Sequence, residues 1–455
     1  MWSRWKSVTG TEAPPERPHR PDPFASLRLP DFRWFVLGSL VSNIGNQMRT
    51  ATVGWEVYQR TGEALSLGLI GLVLAAPVLL LAMPAGVAAD RYSRKTILIL
   101  AHVGLLVCGL GLAWNAAVHG PLAWTYVLLL FTGISRAIGW PAMSAILTQM
   151  VPARLFANAA TWRSMAFQTA ATLGPLLGGA VLALASPAAA YLVDAATSAV
   201  FLVCIGGIKL APQKRIATGL ASWQSVLDGV RFVRREPLIL STITLDMVAV
   251  MFGGATALIP MYAEDVLDVG ATGYGWLRAM PAIGSIAMGL LLAWRISIRR
   301  AGPALIGAVF AFGVWTIVFG ASRNYAVSLL ALFMLGAVDN VSVVIRSTLL
   351  QLLTPDELRG RVAAVNAIFI NTSNEIGEFE SGIAAHLFGP VLAVCGGGVL
   401  TLVTVAAIAR TWPSLWRLGP LEEIRPRDET PDPAASVRLP SELAEALPDP
   451  VVQQA

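Results

Sequence analysis

Three carboxylates stand inside one long apolar stretch near the C-terminal end of the chain, "INTSNEIGEFESGIAAHLFGP" at residues 370–390. On a helix, Glu375 and Glu378 are three residues apart and share a face, whereas Glu380 points elsewhere. A carboxylate at the centre of a bilayer costs about 2.5–3.5 kcal/mol, so such residues generally mark function. Two carboxylates on one face do not both ionise cheaply in a low dielectric, and one should hold a proton. The pattern predicts proton exchange or a substrate contact, with a structural ion pair to Arg49 or Arg136 as the alternative.

Further polar side chains interrupt the apolar stretches elsewhere in the chain. One group recurs at i, i+3, i+4 and i+7, the spacing of one helix face, with a guanidinium at its border; its members are Asn43, Asn46, Gln47, Thr50 and Arg49. Single charged residues stand in three other stretches, namely Arg136, Asp246 and Asp339. All of these are candidates for a hydrated cavity that handles protons or substrate.

The depth of these residues suggests partners. Arg49 and Glu375 lie about 22 and 21 Å along their predicted helices, so we expect them close together. Asp194 is expected to line an outer vestibule or cap a helix. Arg346 is expected to extend its charged end to the membrane interface.

The elements that must position these groups are membrane helices. The 455 residues are 55% apolar and only 13% charged, with a mean hydropathy of +0.63. Soluble domains carry about 25% charged residues, and a helix of about 20 apolar residues crosses a bilayer. Twelve helices are predicted, giving an all-α membrane protein, at residues 34–58, 65–89, 96–117, 121–149, 160–185, 188–209, 238–263, 273–295, 303–320, 325–352, 361–387 and 389–410.

Lys and Arg are concentrated in alternate loops, as in Arg91, Arg94 and Lys95 and again in Arg299 and Arg300. Positive loops stay inside, so both termini are predicted to be cytoplasmic in a bacterial inner (plasma) membrane. Residues 1–30 and 412–455, rich in Pro and mixed charge, are predicted to be disordered tails. No secretory signal peptide is expected. The three scattered cysteines are expected to be small core residues.

The chain divides into two related halves at its longest loop. Shifting the sequence by 203 residues pairs Gly133 with Gly336 and Gly179 with Gly382. The same shift aligns the fourth predicted helix with the tenth and the fifth with the eleventh. We predict six-helix halves at 31–209 and 238–411. The loop at 210–237 is expected to carry a surface helix whose Arg231, Arg234 and Arg235 face lipid headgroups.

Two short motifs resemble a known family. Between the second and third helices stands "GVAADRYSRK", which resembles the loop signature of the major facilitator superfamily; its matching residues are Gly86, Asp90, Arg91, Arg94 and Lys95. The fifth helix carries "LGPLLGG", which resembles a packing element of proton-driven drug antiporters; its residues are Gly174, Pro175, Gly178 and Gly179. The loop alone could also be a topogenic basic segment, and the glycines alone could serve close helix packing.

The resemblance covers about residues 30–410 and looks most like the bacterial branch of enterobactin-exporter-like permeases. It implies a secondary active transporter, not an enzyme, that works by alternating access, with the first, fourth, seventh and tenth helices lining the cavity. Proton-coupled export of a small amphipathic, drug-like or siderophore molecule is expected. An importer of an organic anion, clamped by Arg49 and Arg136, and a lipid or lysolipid flippase are the alternatives.

The expected partners are a small-molecule substrate, protons and the lipid bilayer. No phosphate-binding loop and no metal-ligand spacing occur in the sequence, so no cofactor is expected. The net charge of +5 is explained by the topogenic loops, so no nucleic acid partner is expected. We expect the protein to act as a monomer.

Overall fold

A computed structural model describes residues 22–208, 210, 223–253, 255–295 and 298–420. Within these residues the chain is helical, which confirms the predicted fold class, and the long helices fall close to the predicted positions. They are α1 Pro30–Thr61, α2 Ala64–Arg91, α3 Arg94–Ala117, α4 Leu122–Ala145, α5 Phe156–Leu184, α6 Pro187–Gly207, α7 Pro237–Phe252, α8 Gly270–Arg295, α9 Ala301–Ala321, α10 Tyr325–Leu353, α11 Asp356–Phe388 and α12 Pro390–Thr411. Most of both predicted tails and residues 211–222 of the connecting loop lie outside the described residues.

Local signals in the sequence fix several helix ends. Asn324 precedes α10, and its side-chain oxygen accepts hydrogen bonds from the backbone N–H groups of Ala326 and Val327 at 3.0 and 3.2 Å. α6 begins with a proline that directly follows Ser186. Ser186 is the N-cap, and its side-chain oxygen accepts a hydrogen bond from a free N–H group of the first turn. α1 ends at Gly62, whose φ of 63° is left-handed and favours glycine.

The seventh predicted helix is not continuous. α7 ends at Phe252, and the chain continues through a 3₁₀ turn at Ala255–Leu258 and a π-helical turn at Tyr262–Val266. The single helix predicted for 238–263 is therefore wrong over its second half. Gly253 and Pro260 explain the break, because glycine weakens a helix and proline lacks the N–H group of the helical ladder. The Tyr262 hydroxyl donates to the Gly320 carbonyl at 2.9 Å, which holds the irregular segment against α9.

Among the described residues, ten helices are long and apolar enough to cross a membrane. The two long helices outside this set are α1 and α11, which carry the most embedded polar groups. Exposed tryptophans support the membrane placement. Trp276 and Trp294 of α8 are separated by about 27 Å along the axis, close to the hydrocarbon thickness of about 30 Å. Tryptophan prefers both membrane interfaces. The count of twelve spans and their orientation stay predictions.

Helices α1–α6 and α7–α12 repeat one pattern of neighbours. In each set the first helix packs against the fifth and sixth, and the fourth packs between the second and third. The two sets meet through α2 with α11 and through α5 with α8. Both junctions bring glycines together: a Cβ on Gly382 would lie 2.6 Å from the Gly68 Cα, and one on Gly179 would lie 2.8 Å from the Gly275 Cα. The shift of 203 residues pairs Gly179 with Gly382, so equivalent positions serve equivalent contacts.

The connecting helix Trp223–Arg235 lies against the start of α11. Val233 is buried with Val362 and Val365 of α11, and Asp228 lies 3.5 Å from the Arg361 guanidinium. Part of the apolar face predicted to lie on lipid is therefore covered by protein. Arg231, Arg234 and Arg235 are exposed, and their placement toward lipid headgroups stays a prediction.

Candidate functional site

The candidate site is a cavity whose walls are visible in the exposure pattern of α4. We call the ends of the helices that carry the positive loops the inner ends, and the opposite ends the outer ends. Near the outer end, Val127 and Phe131 of α4 are exposed, as expected for lipid contact. Arg136 and Trp140 follow these two residues by nine positions, about two and a half helical turns, and so lie on the opposite side of α4. Trp140 is nonetheless 61% exposed, so the inner half of α4 is open on the side turned away from lipid.

Helices α5 and α11 show the same pattern. Ser164 lies nine residues before the exposed Leu173 of α5, and Asn374 lies nine residues before the exposed Ile383 of α11. Both polar residues are exposed on the side opposite the apolar surface, Ser164 toward the inner end of α5 and Asn374 near the middle of α11. Asn374 was not predicted as a cavity residue, although its exposure on a polar helix face makes it one.

On α10 the corresponding exposed residues are Val343, Ser347 and Gln351, one turn apart on one face. The shift of 203 residues matches Val343 with Trp140 and Ser347 with Ser144. From these exposed faces we infer a space between the halves that opens at the inner end and is surrounded by the four helices.

At the outer end the halves are closed against each other. The Tyr58 hydroxyl of α1 donates to an Asp265 carboxylate oxygen in the π-helical turn. The Tyr274 hydroxyl of α8 donates to the Ala51 carbonyl at 2.8 Å, and its ring lies 5.2 Å from that of Trp55. Sequence reasoning missed these contacts, because the first depends on the broken backbone after α7 and the second on how α1 and α8 pack.

Glu375 and Glu378 lie at the closed end of the cavity. A Cβ on Gly71 of α2 would lie 2.9 Å from the Glu378 Cβ and 3.2 Å from its Oε2 atom, so α2 packs directly over this carboxylate. The nearest Arg136 and Glu375 side-chain atoms are 4.0 Å apart across the two halves. The charges that act on Glu378 from the surrounding helices are Arg278 and Arg136. Within the described part of the chain, Glu378 has no hydrogen-bond or ion-pair partner.

The expected proximity of Arg49 to Glu375 is wrong. Arg49 donates to Asp194 of α6 at 2.9 Å and to the Asn46 side chain at 2.5 Å. The exposed fractions of the Arg49 and Asp194 side chains are 3% and 1%. Asp194 is therefore not a vestibule residue, and the pair lies between α1 and α6 instead of between the halves. Equal depth along two helices does not fix the direction of a side chain around the helix axis.

The remaining residues of the predicted polar face on α1 are half-buried. The Asn43 amide donates to the Ser39 carbonyl of its own helix at 2.8 Å. Gln47 lies against Gly174 of α5, and Met48 lies against Gly178. The "LGPLLGG" element thus packs α5 on α1 through two glycines, while Gly179 serves the contact with α8.

In the second half, Asp246 pairs with Arg346 between α7 and α10. Arg346 is 5% exposed, so the predicted extension to the membrane interface is wrong. Asp339 and Asp246 line one small cleft with Phe312 of α9. These acids are embedded as predicted, but their cleft lies within the second half of the chain.

The predicted loop signature joins α2 to α3. Arg94 donates to the Ala145 carbonyl at 2.8 Å, and Lys95 donates to the Gly206 and Ile208 carbonyls at 2.8 Å each. Both basic residues thus neutralise the inner ends of helices in their own half. The side chain of Asp90 lies outside the described residues.

Two polar networks were not predicted. Glu56 of α1 is buried and accepts hydrogen bonds from Tyr191 at 2.6 Å and from Arg60 at 3.1 Å. Ser285 of α8 accepts from Gln168 of α5 at 3.2 Å and from Asn340 of α10 at 2.9 Å. The second network joins the two halves in the middle of the helices, beside the cavity.

The same fold occurs in solved transporters. A bacterial homologue of the human lysosomal transporter Spinster, in an inward-facing and unoccupied conformation, superposes with a TM-score of 0.66 at 16% identity, covering 85% of this chain and 96% of the other. The nucleoside transporter NupG gives 0.63 at 14% identity, covering 85% and 99%. At these identities the likeness shows the fold, which this chain shares with a class of membrane transporters.

The sequence narrows this class. The model of the family described as transmembrane secretion effector matches residues 21–442, and the chain belongs to that family. The enterobactin exporter EntS of Shigella boydii serotype 18 is 24% identical over 380 residues, covering 82% of this chain and 90% of the exporter, and an Escherichia coli EntS gives the same values. The protein is a multi-pass protein of the inner membrane.

Proposed function

We propose that this transporter exports a small amphipathic molecule in exchange for protons, by alternating access of a cavity between two six-helix halves. The observation that carries the proposal is the pair Glu375 and Glu378 at the closed end of a cavity that opens inward. Export is proposed by analogy with the relatives, because a cavity that opens inward occurs in the transport cycle of importers and exporters alike. The EntS relatives are named as exporters of enterobactin, which makes a siderophore one candidate substrate.

The distribution of contacts between the halves supports alternating access. In the proposed cycle, residues 31–209 and 238–411 move as two bodies, and the outer contacts break when the inner ends close. The Tyr58–Asp265 bond and the glycine junctions occupy the outer end, whereas polar contacts of Arg94 and Lys95 stay within one half. Small interhelical glycines allow such surfaces to separate and re-form without unpaired polar groups.

The surroundings of Glu378 suit a proton site. Tyr274 and Arg278 of α8 and Arg136 of α4 are the titratable or charged groups facing it from other helices, besides Glu375 one turn away. Burying a charged carboxylate without a hydrogen-bond partner is costly, which favours binding of a proton by one member of the pair. Glu375 has Arg136 within 4.0 Å and is better placed to stay ionised.

Exchange follows if substrate and proton compete for the same carboxylate. A substrate that donates hydrogen bonds or positive charge to ionised Glu378 displaces its proton, and a proton from outside displaces the substrate. Each proton crossing 100 mV supplies about 2.3 kcal/mol. The alternative, an anion clamped by Arg49 and Arg136, finds less support because Asp194 already neutralises Arg49.

Proton coupling can be tested in inverted membrane vesicles that accumulate a panel of labelled amphipathic compounds under an imposed pH gradient. Glu378→Gln mimics the protonated state, in which the substrate has no carboxylate to bind, and is expected to abolish gradient-driven uptake and to weaken exchange of substrate between the two sides. Glu380→Gln, two residues away, is the matched control and should do much less. Uptake by the wild type that persists after a protonophore collapses the gradient would refute proton coupling.

A further inference from the structure

The cavity contains one large aromatic side chain that neither the packing nor the proton site uses. Trp140 lies one turn after Arg136 on α4 and is 61% exposed, more than the lipid-facing Phe131 of the same helix at 53%. Among the described residues, no aromatic ring packs against it. An indole this exposed toward a hydrated space leaves much of its apolar surface unburied.

A membrane-interface role does not explain its direction. Trp124 near the outer end of α4 is 58% exposed and lies with Val127 and Phe131 on the lipid side. Trp140 follows Phe131 by nine residues and so lies on the opposite side of the helix, about two and a half turns along it. Arg136, one turn earlier on the same side, reaches Glu375 of the other half, which shows that this side of α4 faces the space between the halves.

We propose that Trp140 is a substrate-binding residue, whose indole stacks on a planar aromatic ring of the transported molecule. The proposal rests on the proposed transport function and specifies its substrate class. The position of Trp140 along α4 suits such a contact, because a ring stacked on its indole would lie between the inner opening of the cavity and the carboxylates at the closed end. Polar groups of the same solute could then reach Arg136, Glu375 or Glu378.

The structural repeat makes the site one-sided. The position equivalent to Trp140 in the second half is Val343, which is 39% exposed but offers no aromatic surface. A planar ring would therefore be held by α4 of the first half, while the exposed residues one and two turns after Val343 on α10 are the hydrogen-bonding Ser347 and Gln351. Aromatic stacking tolerates many ring systems, since every ring has a π-face.

Binding can be measured with the full-length protein in lipid nanodiscs, by fluorescence anisotropy of two planar aromatic probes, cationic ethidium and anionic fluorescein. At least one probe is expected to bind the wild type. Trp140→Ala should raise its Kd at least tenfold, and Trp140→Phe should restore most of the affinity. Trp124→Ala, which removes an equally exposed indole from the lipid side, should leave the Kd unchanged.

Which probe binds distinguishes a cationic from an anionic aromatic substrate. The proposal is overturned if Trp140→Ala binds the probe as tightly as the wild type, or if Trp124→Ala weakens binding as much as Trp140→Ala does. It is also overturned if neither probe binds the wild type at 1 mM, about the concentration at which the weakest specific complexes form. Failure of the transport proposal is a separate result: binding that depends on Trp140, without uptake that depends on a pH gradient, would leave the aromatic site standing and remove proton coupling.

Discussion

The buried pair of Arg49 and Asp194 offers the sharpest test of how charges are used in this protein. Their nearest atoms are 2.9 Å apart, and the side chains are 3% and 1% exposed. Replacing one partner of a buried pair costs about 3–5 kcal/mol, because the other charge stays buried without compensation. Replacing both with apolar residues of similar size is often neutral or stabilising by about 1–4 kcal/mol.

Asp194→Leu and Arg49→Met are therefore each expected to lower the thermal unfolding midpoint of the purified protein strongly. Arg49→Met should do slightly more damage, because it also leaves the Asn46 side-chain oxygen without the donor that Arg49 provides. The double variant should unfold near the wild-type temperature. Intrinsic tryptophan fluorescence in detergent micelles measures all four proteins under one condition.

The double variant is also expected to transport, since the pair lies between α1 and α6 and not at the closed end of the cavity. A double variant whose unfolding midpoint is no higher than those of the single variants would refute the pairing argument. A stable double variant without transport would return Arg49 to the list of residues that handle substrate or protons.

Three further predictions address the closed outer end, the junction of the halves and the topology. Tyr58→Phe removes the hydroxyl bonded to Asp265 and should favour the outward-open state by about 1 kcal/mol, which would be measured as faster labelling of a cysteine at the outer end. The control Tyr262→Phe, whose lost bond lies within one half, should not change the labelling rate. Equal labelling rates in Tyr58→Phe and the wild type would contradict a role of the Tyr58–Asp265 bond in closing the outer end. Gly382→Leu should abolish transport because a Cβ already meets Gly68, whereas Gly396→Leu, with no atom within 4 Å, should be tolerated. When intact cells are treated with membrane-impermeant reagents, cysteines placed in either terminal tail of the protein should not be labelled. Labelling of the C-terminal tail would refute the predicted orientation.

The sequence allows the helices to be predicted because apolar length and loop charge are local properties. Helix ends at Gly62, Ser186 and Asn324 follow from side chains within a few residues. The break after Phe252 was missed because a hydropathy pattern does not distinguish a continuous helix from a buried irregular segment.

The candidate site was predictable only in part. The spacing of Glu375 and Glu378 indicated a shared face, and the contact of Glu375 with Arg136 is one of the predicted alternatives. The partner of Arg49 could not be predicted, since Asp194 lies 145 residues away and the contact between them depends on how α1 and α6 pack. The inward exposure of Trp140 and Asn374 likewise depends on the separation of the halves.

The distance in sequence between Arg49 and Asp194 has a consequence for biosynthesis. A charge at the centre of a membrane helix costs about 2.5–3.5 kcal/mol during insertion, and among the described residues α1 is not one of the ten helices that are long and apolar enough to cross a membrane. At about 5–20 residues per second, the 145 residues that separate the pair take the ribosome about 7–30 s. During that interval α1 carries an unpaired guanidinium, so its first stable position in the membrane depends on a helix that has not yet been made.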